Sequence, residues 1–276
     1  MTDIRMTTEP PITFSVERGV GRVTLNRPDK MNALTPEMLV RLDRAWRAIE
    51  DDPTVRVVIL SGAGTRAFSA GADLGRLTPL LLRAREAEDE WDQALLSDPP
   101  LLNRALLRRT DVTTPVIAAM RGVVTGGGME LMLGCDLRVA GETSQFGLPE
   151  VKRGLIAAGG GVARVSRQIP SALAAEMVLT GERISAAQAF SWGLINRVVP
   201  DGEVDAAALA LAQKIAENAP LALRKGKQVM TESSGRSILD GFASEDEAIK
   251  LLLRSKDARE GSKAFMEKRP PNFTGE

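Results

Sequence analysis

Gly126-Gly127-Gly128-Met129-Glu130 is the stretch that most constrains the fold and the chemistry of this chain. The glycines follow a predicted strand and open an apolar helix over 129–135, a position where free backbone N–H groups and the helix dipole favour negative charge. A tight turn that permits close packing is the alternative interpretation. Two other stretches also combine glycine with an acidic residue: Ser69-Ala70-Gly71-Ala72-Asp73 and Phe146-Gly147-Leu148-Pro149-Glu150.

The residue types that the chain lacks narrow its chemistry. It contains no His, no Tyr and one Cys, so most of the usual groups for acid–base and nucleophilic catalysis are missing. Backbone N–H groups, which glycines can expose to a substrate oxygen, and carboxylates, which can move protons, remain. A site built from these parts would stabilise an enolate.

Composition and charge exclude several classes of partner. The 276 residues are 43% hydrophobic, enough for a full core, and 36 Lys plus Arg balance 36 Asp plus Glu. A formal charge of zero argues against nucleic acid or a membrane surface as a partner. Residues 1–11 lack an apolar targeting segment, and no stretch approaches the ~20 apolar residues of a membrane span. We expect a cytoplasmic protein, with Cys135 as a core residue.

Hydrophobic periodicity predicts alternating strands and helices. An opening β-hairpin over 12–25 precedes a helix that Thr35 caps, with Pro36 at its first position. Short buried strands are predicted at 55–60, 116–118 and 137–139. Between the first two, 77–109 is predicted to be a long, charge-rich helical segment interrupted at Asp98-Pro99-Pro100.

The second half becomes alanine-rich and helical. Helices are predicted over 171–180 and 185–192, followed by a strand over 194–199. Pro200-Asp201-Gly202 is the expected boundary. Four further helices follow, predicted over 204–218, 221–230, 238–255 and 257–267. The chain is therefore expected to be an α/β body followed by a helical tail.

Each of the two glutamates is ambiguous on its own. Glu130 lies in an apolar helix start, where a charge is costly without a partner or a function, although an acid near a helix N-terminus gains ~0.3–1 kcal/mol. Glu150, directly after Pro149, resembles a turn or capping residue. Neither the dinucleotide-binding glycine pattern nor the phosphate loop ending in Lys-Ser/Thr occurs, which argues against nucleotide cofactors.

The combination of motifs resembles the enoyl-CoA hydratase/isomerase (crotonase) superfamily over nearly the whole chain. The similar segments occur in the family's order: 26–34, an N-terminal signature; 68–74, the first oxyanion segment; 115–130, the second; 146–150, which carries the second acid; and 260–273, the tail. The resemblance implies an α/β fold with a spiral core of ββα turns over 1–200 and a C-terminal helical trimerisation region over 201–276. It also implies homotrimers or homohexamers.

The resemblance further implies a coenzyme A thioester as ligand, which enters as part of the substrate, with no separate cofactor and no metal. The backbone N–H groups of Ala72 and Gly127 would form an oxyanion hole, and Glu130 and Glu150 would be the catalytic acids. Ala70, Asp73 and Leu74 would hold the adenine end of coenzyme A. Arg76 could bind its phosphates or could equally be a solvated side chain, and Lys30 is a similar candidate for which a solvated side chain is favoured.

The implied reaction is reversible addition of water across the 2,3 double bond of a 2-enoyl-CoA, giving a 3-hydroxyacyl-CoA through an enolate. Glu150 is assigned mainly as the acid/base toward the α-carbon, and Glu130 as the residue that positions and activates water. A double-bond isomerase or a specialised acyl-CoA dehydratase is the alternative. A non-catalytic acyl-CoA-binding protein is disfavoured, because both acids are present.

Two departures from the family pattern concern the acyl end of the site. The turn 154–160 lacks the usual proline and carries alanines, so the acyl pocket is expected to differ. The segment 77–109 is expected to be longer than in short-chain hydratases. Its apolar residues suggest either an acyl tunnel or simple helix packing, with packing favoured: 80–82, Trp91, 95–96 and 101–102.

Overall fold

The structure is a computed structural model that describes residues 9–108 and 112–276. Within these ranges the strands are β1 Ile12–Glu17, β2 Val20–Leu25, β3 Val57–Gly62, β4 Ala67–Ser69, β5 Val116–Met120, β6 Val123–Thr125, β7 Leu137–Gly141, β8 Gln145–Gly147, β9 Ile184–Ser185 and β10 Arg197–Val199. The helices are α1 Pro36–Asp51, α2 Leu77–Leu81, α3 Glu90–Ser97, α4 Pro100–Ala105, α5 Gly127–Leu133, α6 Gly161–Gln168, α7 Ser171–Thr180, α8 Ala186–Ser191, α9 Val204–Ala216, α10 Pro220–Ser233, α11 Ile238–Leu252 and α12 Lys256–Met266. Short 3₁₀ turns cover Pro28–Lys30, Pro149–Arg153 and Asp201–Glu203.

The strands form two sheets that the chain visits in alternation. The larger has the order β1-β2-β3-β5-β7-β10, and the smaller β4-β6-β8-β9. In the larger sheet only the predicted hairpin β1–β2 is antiparallel. The pairs β3/β4, β5/β6 and β7/β8 each place one strand in the larger sheet and the next in the smaller before a helix follows. This arrangement confirms the predicted α/β fold with a spiral of ββα turns.

Both faces of the central part of the larger sheet are buried, and successive side chains of a strand point to opposite faces. In β3, Val58 and Leu60 belong to the main core, whereas Val57 and Ile59 face a second apolar cluster. Helix α9 covers that second face with Val204, Ala208 and Ala212. The first helix after residue 200 therefore packs on the sheet, and the division of the chain at residue 200 stays a prediction.

Helix α1 begins where the sequence predicts. The side chain of Thr35 accepts a hydrogen bond from the Met38 N–H, Pro36 occupies the first helical position, and the helix ends at Asp51. Its apolar face packs into the main core, where Trp46 is buried. Cys135 is also a buried core residue, as expected.

The prediction of one long helical segment over 77–109 with a single break is wrong. Three short helices, α2, α3 and α4, occupy the described part, and the chain is not helical between Leu81 and Glu90. Helix α3 starts anew because the Asp89 carboxylate accepts hydrogen bonds from the N–H groups of Trp91 and Asp92. The predicted break before α4 is present, and the predicted end at Arg109 lies outside the described residues.

The last three helices leave many large apolar side chains in contact with solvent. Helices α10 and α11 pack against each other. The exposed apolar side chains of these helices and their connections include Met230, Ile238, Leu239, Phe242, Ile249, Leu253, Phe265 and Met266. No helix in the described part of the chain is long and apolar enough to cross a membrane.

Candidate active site

The Gly126–Gly128 turn joins β6 to α5 and packs tightly against the end of β4. Gly126 has a φ of +56°, a conformation that favours glycine. A Cβ on Gly128 would lie 2.5 Å from the carbonyl oxygen of Ser69, which shows how closely the two chain segments approach. Since Gly127 is the first residue of α5, its N–H has no acceptor within the helix.

The turn after β4 touches this glycine turn. Gly71 has a φ of +93°, and a Cβ placed on it would lie 3.0 Å from the Gly127 nitrogen. A Cβ on Gly127 would lie 3.7 Å from the Ala72 nitrogen. Within residues 9–108 and 112–276, neither of these two N–H groups donates a hydrogen bond to a protein acceptor. Two free backbone donors therefore lie side by side, which is what a substrate oxyanion requires.

Glu130 lies one helical turn beyond these donors and is 6% exposed. Its Oε1 accepts a hydrogen bond from the Gly161 N–H at 3.1 Å. Burial raises the pKa of this carboxyl from 4.5 to about 7; the Gly161 hydrogen bond opposes the shift, and the charge of Glu150 adds to it. Glu130 is thus poised to exchange a proton near neutral pH.

Glu150 lies in the 3₁₀ turn after β8, on the other side of the glycine turn. Its Oε1 would be 3.3 Å from a Cβ on Gly126. Its Oε2 is buried and has no hydrogen-bond partner among the described residues. Burial raises the pKa of this carboxyl as well. A buried carboxyl oxygen without a partner is unusual and marks a functional candidate.

The four predicted catalytic positions therefore meet around one turn, with Ala72 and Gly127 supplying free amides and Glu130 and Glu150 supplying carboxyls. The run Gly159–Gly161, which overlaps the turn expected at the acyl end of the site, contacts Glu130 directly, and this contact was not predicted. A Cβ on Gly159 would lie 2.6 Å from Glu130 Oε2, so a side chain at this position would displace the carboxylate. Three consecutive glycines indicate a close approach of the backbone at this point, but they do not identify Glu130 as the neighbour.

The residues predicted to bind coenzyme A lie on the turn after β4 and next to it. Leu74 and Lys30 are exposed, and the Ala70 carbonyl accepts a hydrogen bond from the Thr125 hydroxyl at 3.3 Å. The Asp73 carboxylate forms an ion pair with Arg27 at 3.0 Å. Binding of coenzyme A by these residues stays a prediction.

The Arg76 side chain forms ion pairs with nearby carboxylates. Its guanidinium contacts the carboxylates of Glu88 and Asp89, each at 2.5 Å. The adjacent Arg85 pairs with the fully buried Asp92, also at 2.5 Å. A phosphate bound by Arg76 would have to compete with these carboxylates, and this predicted role remains untested.

Helix packing accounts for the central leucines of the segment 77–107. Leu80, Leu95 and Leu101 are each at most 5% exposed and belong to the main core. Leu81, Leu82 and Leu96 are exposed. Trp91 lies under the guanidinium groups of Arg41 and Arg44, which are 4.9 and 5.3 Å from its ring centre. In the ranges that the structure describes, no cluster of three or more His, Cys, Asp or Glu side chains could hold a metal ion.

Replacing Glu130 by glutamine is expected to make the protein more stable at alkaline pH. The folded protein binds the Glu130 proton more tightly than the unfolded chain, so the stability from this group is present below the unfolded pKa of 4.5 and is lost as the pH rises through about 7. Between pH 5 and 8 the unfolding free energy of the wild type should fall by roughly 2 to 3 kcal/mol through this group, and that of Glu130→Gln should not show this decrease.

Urea unfolding of both proteins at pH 5 and pH 8 measures this difference. Glu182→Gln is the matched control, because Glu182 is exposed and its pKa is lowered by Lys152. Its stability relative to the wild type should not change between the two pH values. An equal difference between Glu130→Gln and wild type at both pH values would contradict the prediction.

Comparison with known proteins places this geometry in a family. The family model described as "Enoyl-CoA hydratase/isomerase" matches residues 15–276. The chain is 41% identical over 252 residues to the enoyl-CoA hydratase EchA19 of Mycobacterium tuberculosis, covering 91% of each chain. It is 37% identical over 265 residues to the (E)-benzylidenesuccinyl-CoA hydratase of Thauera aromatica, covering 96% of this chain and 99% of that one.

A solved structure supports the same assignment. The crystal structure of an enoyl-CoA hydratase from Bacillus anthracis superposes with a TM-score of 0.87 at 35% sequence identity. The match covers 96% of this chain and 100% of that chain. At this level of identity the likeness extends beyond the fold to the family.

Proposed function

Since the chain belongs to the enoyl-CoA hydratase/isomerase family, we propose that it adds water reversibly across the 2,3 double bond of a 2-enoyl-CoA thioester. One observation carries the proposal: two carboxyls with raised pKa values, the buried Glu130 and the half-buried Glu150, lie beside the turn that holds two free amides. A single carboxylate could move one proton between carbons. Hydration needs a base for water and an acid for the α-carbon, and the pair can supply both.

The oxyanion hole has the largest task in this reaction. As the water oxygen bonds to C3, the electron pair of the double bond shifts through C2 onto the thioester oxygen. The N–H groups of Ala72 and Gly127 hold that developing charge, and each donor can supply about 3 to 4 kcal/mol of transition-state stabilisation. Because these donors are backbone groups fixed by packing, they need little reorganisation.

The carboxyls then manage two protons. Glu130 accepts one proton from water as the C3–O bond forms, and a pKa near 7 makes it a base that is available at neutral pH. In the form of the enzyme that reacts, Glu150 carries a proton and gives it to C2, and burial, which raises its pKa, favours this form. The net change is one water added, and a proton passes from Glu130 back to Glu150, directly or through solvent, before the next turnover. Two neighbouring carboxyls that share one proton titrate as a pair.

The same proposal covers ligand, assembly and location. Coenzyme A enters as part of the substrate, so the reaction requires no resident cofactor and no metal. The exposed apolar side chains of α10 to α12 support homotrimers or homohexamers formed through the C-terminal region. A cytoplasmic location stays a prediction from the sequence.

Turnover of 2-enoyl-CoA thioesters of graded acyl length tests the function. We expect loss of the ultraviolet absorbance of the conjugated thioester and formation of 3-hydroxyacyl-CoA, with Glu150→Gln as the inactive control. A shifted double bond, or activity only in eliminating water from another acyl-CoA, would replace hydration by the isomerase or dehydratase alternative. Tight binding of every thioester without turnover would indicate a non-catalytic acyl-CoA-binding protein.

A further inference from the structure

The position of Ala72 depends on a second loop, the one that precedes α1. The Leu34 N–H donates to the Gly71 carbonyl at 2.8 Å, and the Asp73 N–H donates to the Leu34 carbonyl at 2.9 Å. These two bonds form an isolated parallel bridge between Leu34 and Ala72. The bridge fixes the peptide on each side of Ala72 and leaves the Ala72 N–H free. Any movement of Leu34 would therefore move one of the two oxyanion donors.

Arg27 joins this loop to the oxyanion turn. Its Nη1 donates to the Ala33 carbonyl at 2.6 Å and to Asp73 Oδ2 at 3.0 Å. The side chains of Arg27 and Asp73 are only 23% and 16% exposed, so solvent screens their attraction less than at an open surface. One guanidinium nitrogen thus contacts the residue before Leu34 and the residue after Ala72.

Asp73 completes the connection on the other side of the turn. Its Oδ1 accepts hydrogen bonds from the N–H groups of Gly75 and Arg76 at 2.9 and 3.1 Å. The two carboxylate oxygens therefore bind different segments. Oδ2 is linked through Arg27 to the loop before α1, and Oδ1 binds the segment that leads into α2. Hydrogen bonds from Arg27 and from these N–H groups lower the pKa of this carboxyl against the opposing effect of burial. The Asp73 carboxylate is therefore charged, and both of its oxygens accept hydrogen bonds within the protein.

A buried polar pair supports the same two loops. Asn32 is fully buried; its Oδ1 accepts from the Arg27 N–H at 2.9 Å, and its Nδ2 donates to the Ala67 carbonyl at 2.8 Å. The Ser69 hydroxyl donates to the Asn32 carbonyl at 2.8 Å and accepts from the Gly71 N–H at 3.2 Å. The Gly71 N–H is thereby used, so the free donor of this turn is that of Ala72.

We propose that Arg27 and Asp73 are positioning residues for the reaction: their ion pair holds the Ala72 N–H in line with that of Gly127. The inference rests on the proposed function, and it assigns the Asp73 side chain a role distinct from contact with coenzyme A. Neither side chain needs to touch the substrate. Their effect reaches the thioester oxygen through the backbone of residues 33–34 and 71–73.

Kinetics of Arg27→Gln, Asp73→Asn and the double variant test the pair. A displacement of about 1 Å of a donor costs roughly 10²-fold, so each single variant should lower kcat by about 10- to 100-fold while KM changes by less than about threefold. The double variant should be no worse than the more damaged single variant, because both changes remove one interaction. Arg27→Lys, which retains the charge and an N–H donor group, should keep more of kcat than Arg27→Gln.

A spectroscopic readout separates this inference from the proposed reaction. The conjugated thioester 4-(dimethylamino)cinnamoyl-CoA absorbs at longer wavelength when its carbonyl is polarised, and this shift reports the bound, unhydrated thioester. The wild type should produce a red shift on binding, and Arg27→Gln and Asp73→Asn should reduce it at saturating ligand. Suppose that the protein hydrates no enoyl-CoA and still gives a red shift that is smaller in Arg27→Gln and Asp73→Asn than in the wild type. That result would contradict the proposed reaction and would leave the inference intact.

A matched ion pair elsewhere supplies the control. Arg121 also binds one backbone carbonyl, that of Asp201 at 2.7 Å, and one carboxylate, that of Asp205 at 2.8 Å; the Arg121 side chain is 14% exposed and that of Asp205 63%. Arg121→Gln and Asp205→Asn should leave kcat and the red shift unchanged. The inference is overturned if these controls lose as much kcat as the Arg27 and Asp73 variants. It is equally overturned if Asp73→Asn raises KM with kcat unchanged, or if the wild type gives no red shift.

Discussion

Glu150→Gln is expected to lower kcat for hydration by about 10² to 10⁴-fold, the range that a positioned acid–base group contributes. Glutamine has nearly the same shape, but its amide cannot deliver a proton to the α-carbon. Since Glu150 Oε2 has no protein partner in the described residues, the substitution breaks no hydrogen bond of that atom. Burial already disfavours the ionised carboxyl, so the variant should fold at least as well as the wild type.

The measurement is the initial rate of absorbance loss with a 2-enoyl-CoA, with binding of the thioester followed separately. Glu142→Gln is the control, because Glu142 is exposed and lies outside the glycine turn. Combining Glu130→Gln with Glu150→Gln should cost little more than the worse single variant, because the two acids act as a unit. Retention of kcat within tenfold in Glu150→Gln would remove Glu150 from the proposed mechanism.

The sequence predicted the parts of this site that depend on residue type within a motif. The sequence shows directly the glycines at 71 and 127 and the acids at 130 and 150. The order of the segments that carry them predicted the spiral fold, which the structure has. Helix α1 was predictable for the same reason, since its cap and first-turn proline are adjacent in the chain. Local chemistry and a family pattern suffice for such features.

Contacts between distant segments were not predictable in this way. The Gly161 N–H reaches Glu130 across 31 residues, and Arg27 reaches Asp73 across 46. Both contacts depend on how the turns of the spiral stack. The division between α2 and α3 was missed because helix periodicity does not reveal that Asp89 caps a new helix or that Arg85 and Asp92 form a buried ion pair.

Gly71→Ala should have the second large effect, because it separates the two amides without altering any acid. The new Cβ would lie 2.8 Å from the Thr125 carbonyl oxygen and 3.0 Å from the Gly127 nitrogen, and both neighbours are backbone atoms. One of the two turns must therefore move. Loss of one oxyanion donor costs about 10² to 10³ in kcat, and the crowding should cost roughly 1 to 3 kcal/mol of stability.

Gly193→Ala distinguishes crowding from backbone strain. Gly193 has a φ of +75°, comparable to the +93° of Gly71, but a Cβ there would meet no atom within 4 Å. Alanine at 193 should thus lower the unfolding free energy through conformation alone and leave kcat unchanged. If Gly71→Ala, assayed well below its melting temperature, retained kcat as fully as Gly193→Ala, the Ala72 and Gly127 amides could not be the pair that stabilises the enolate oxygen.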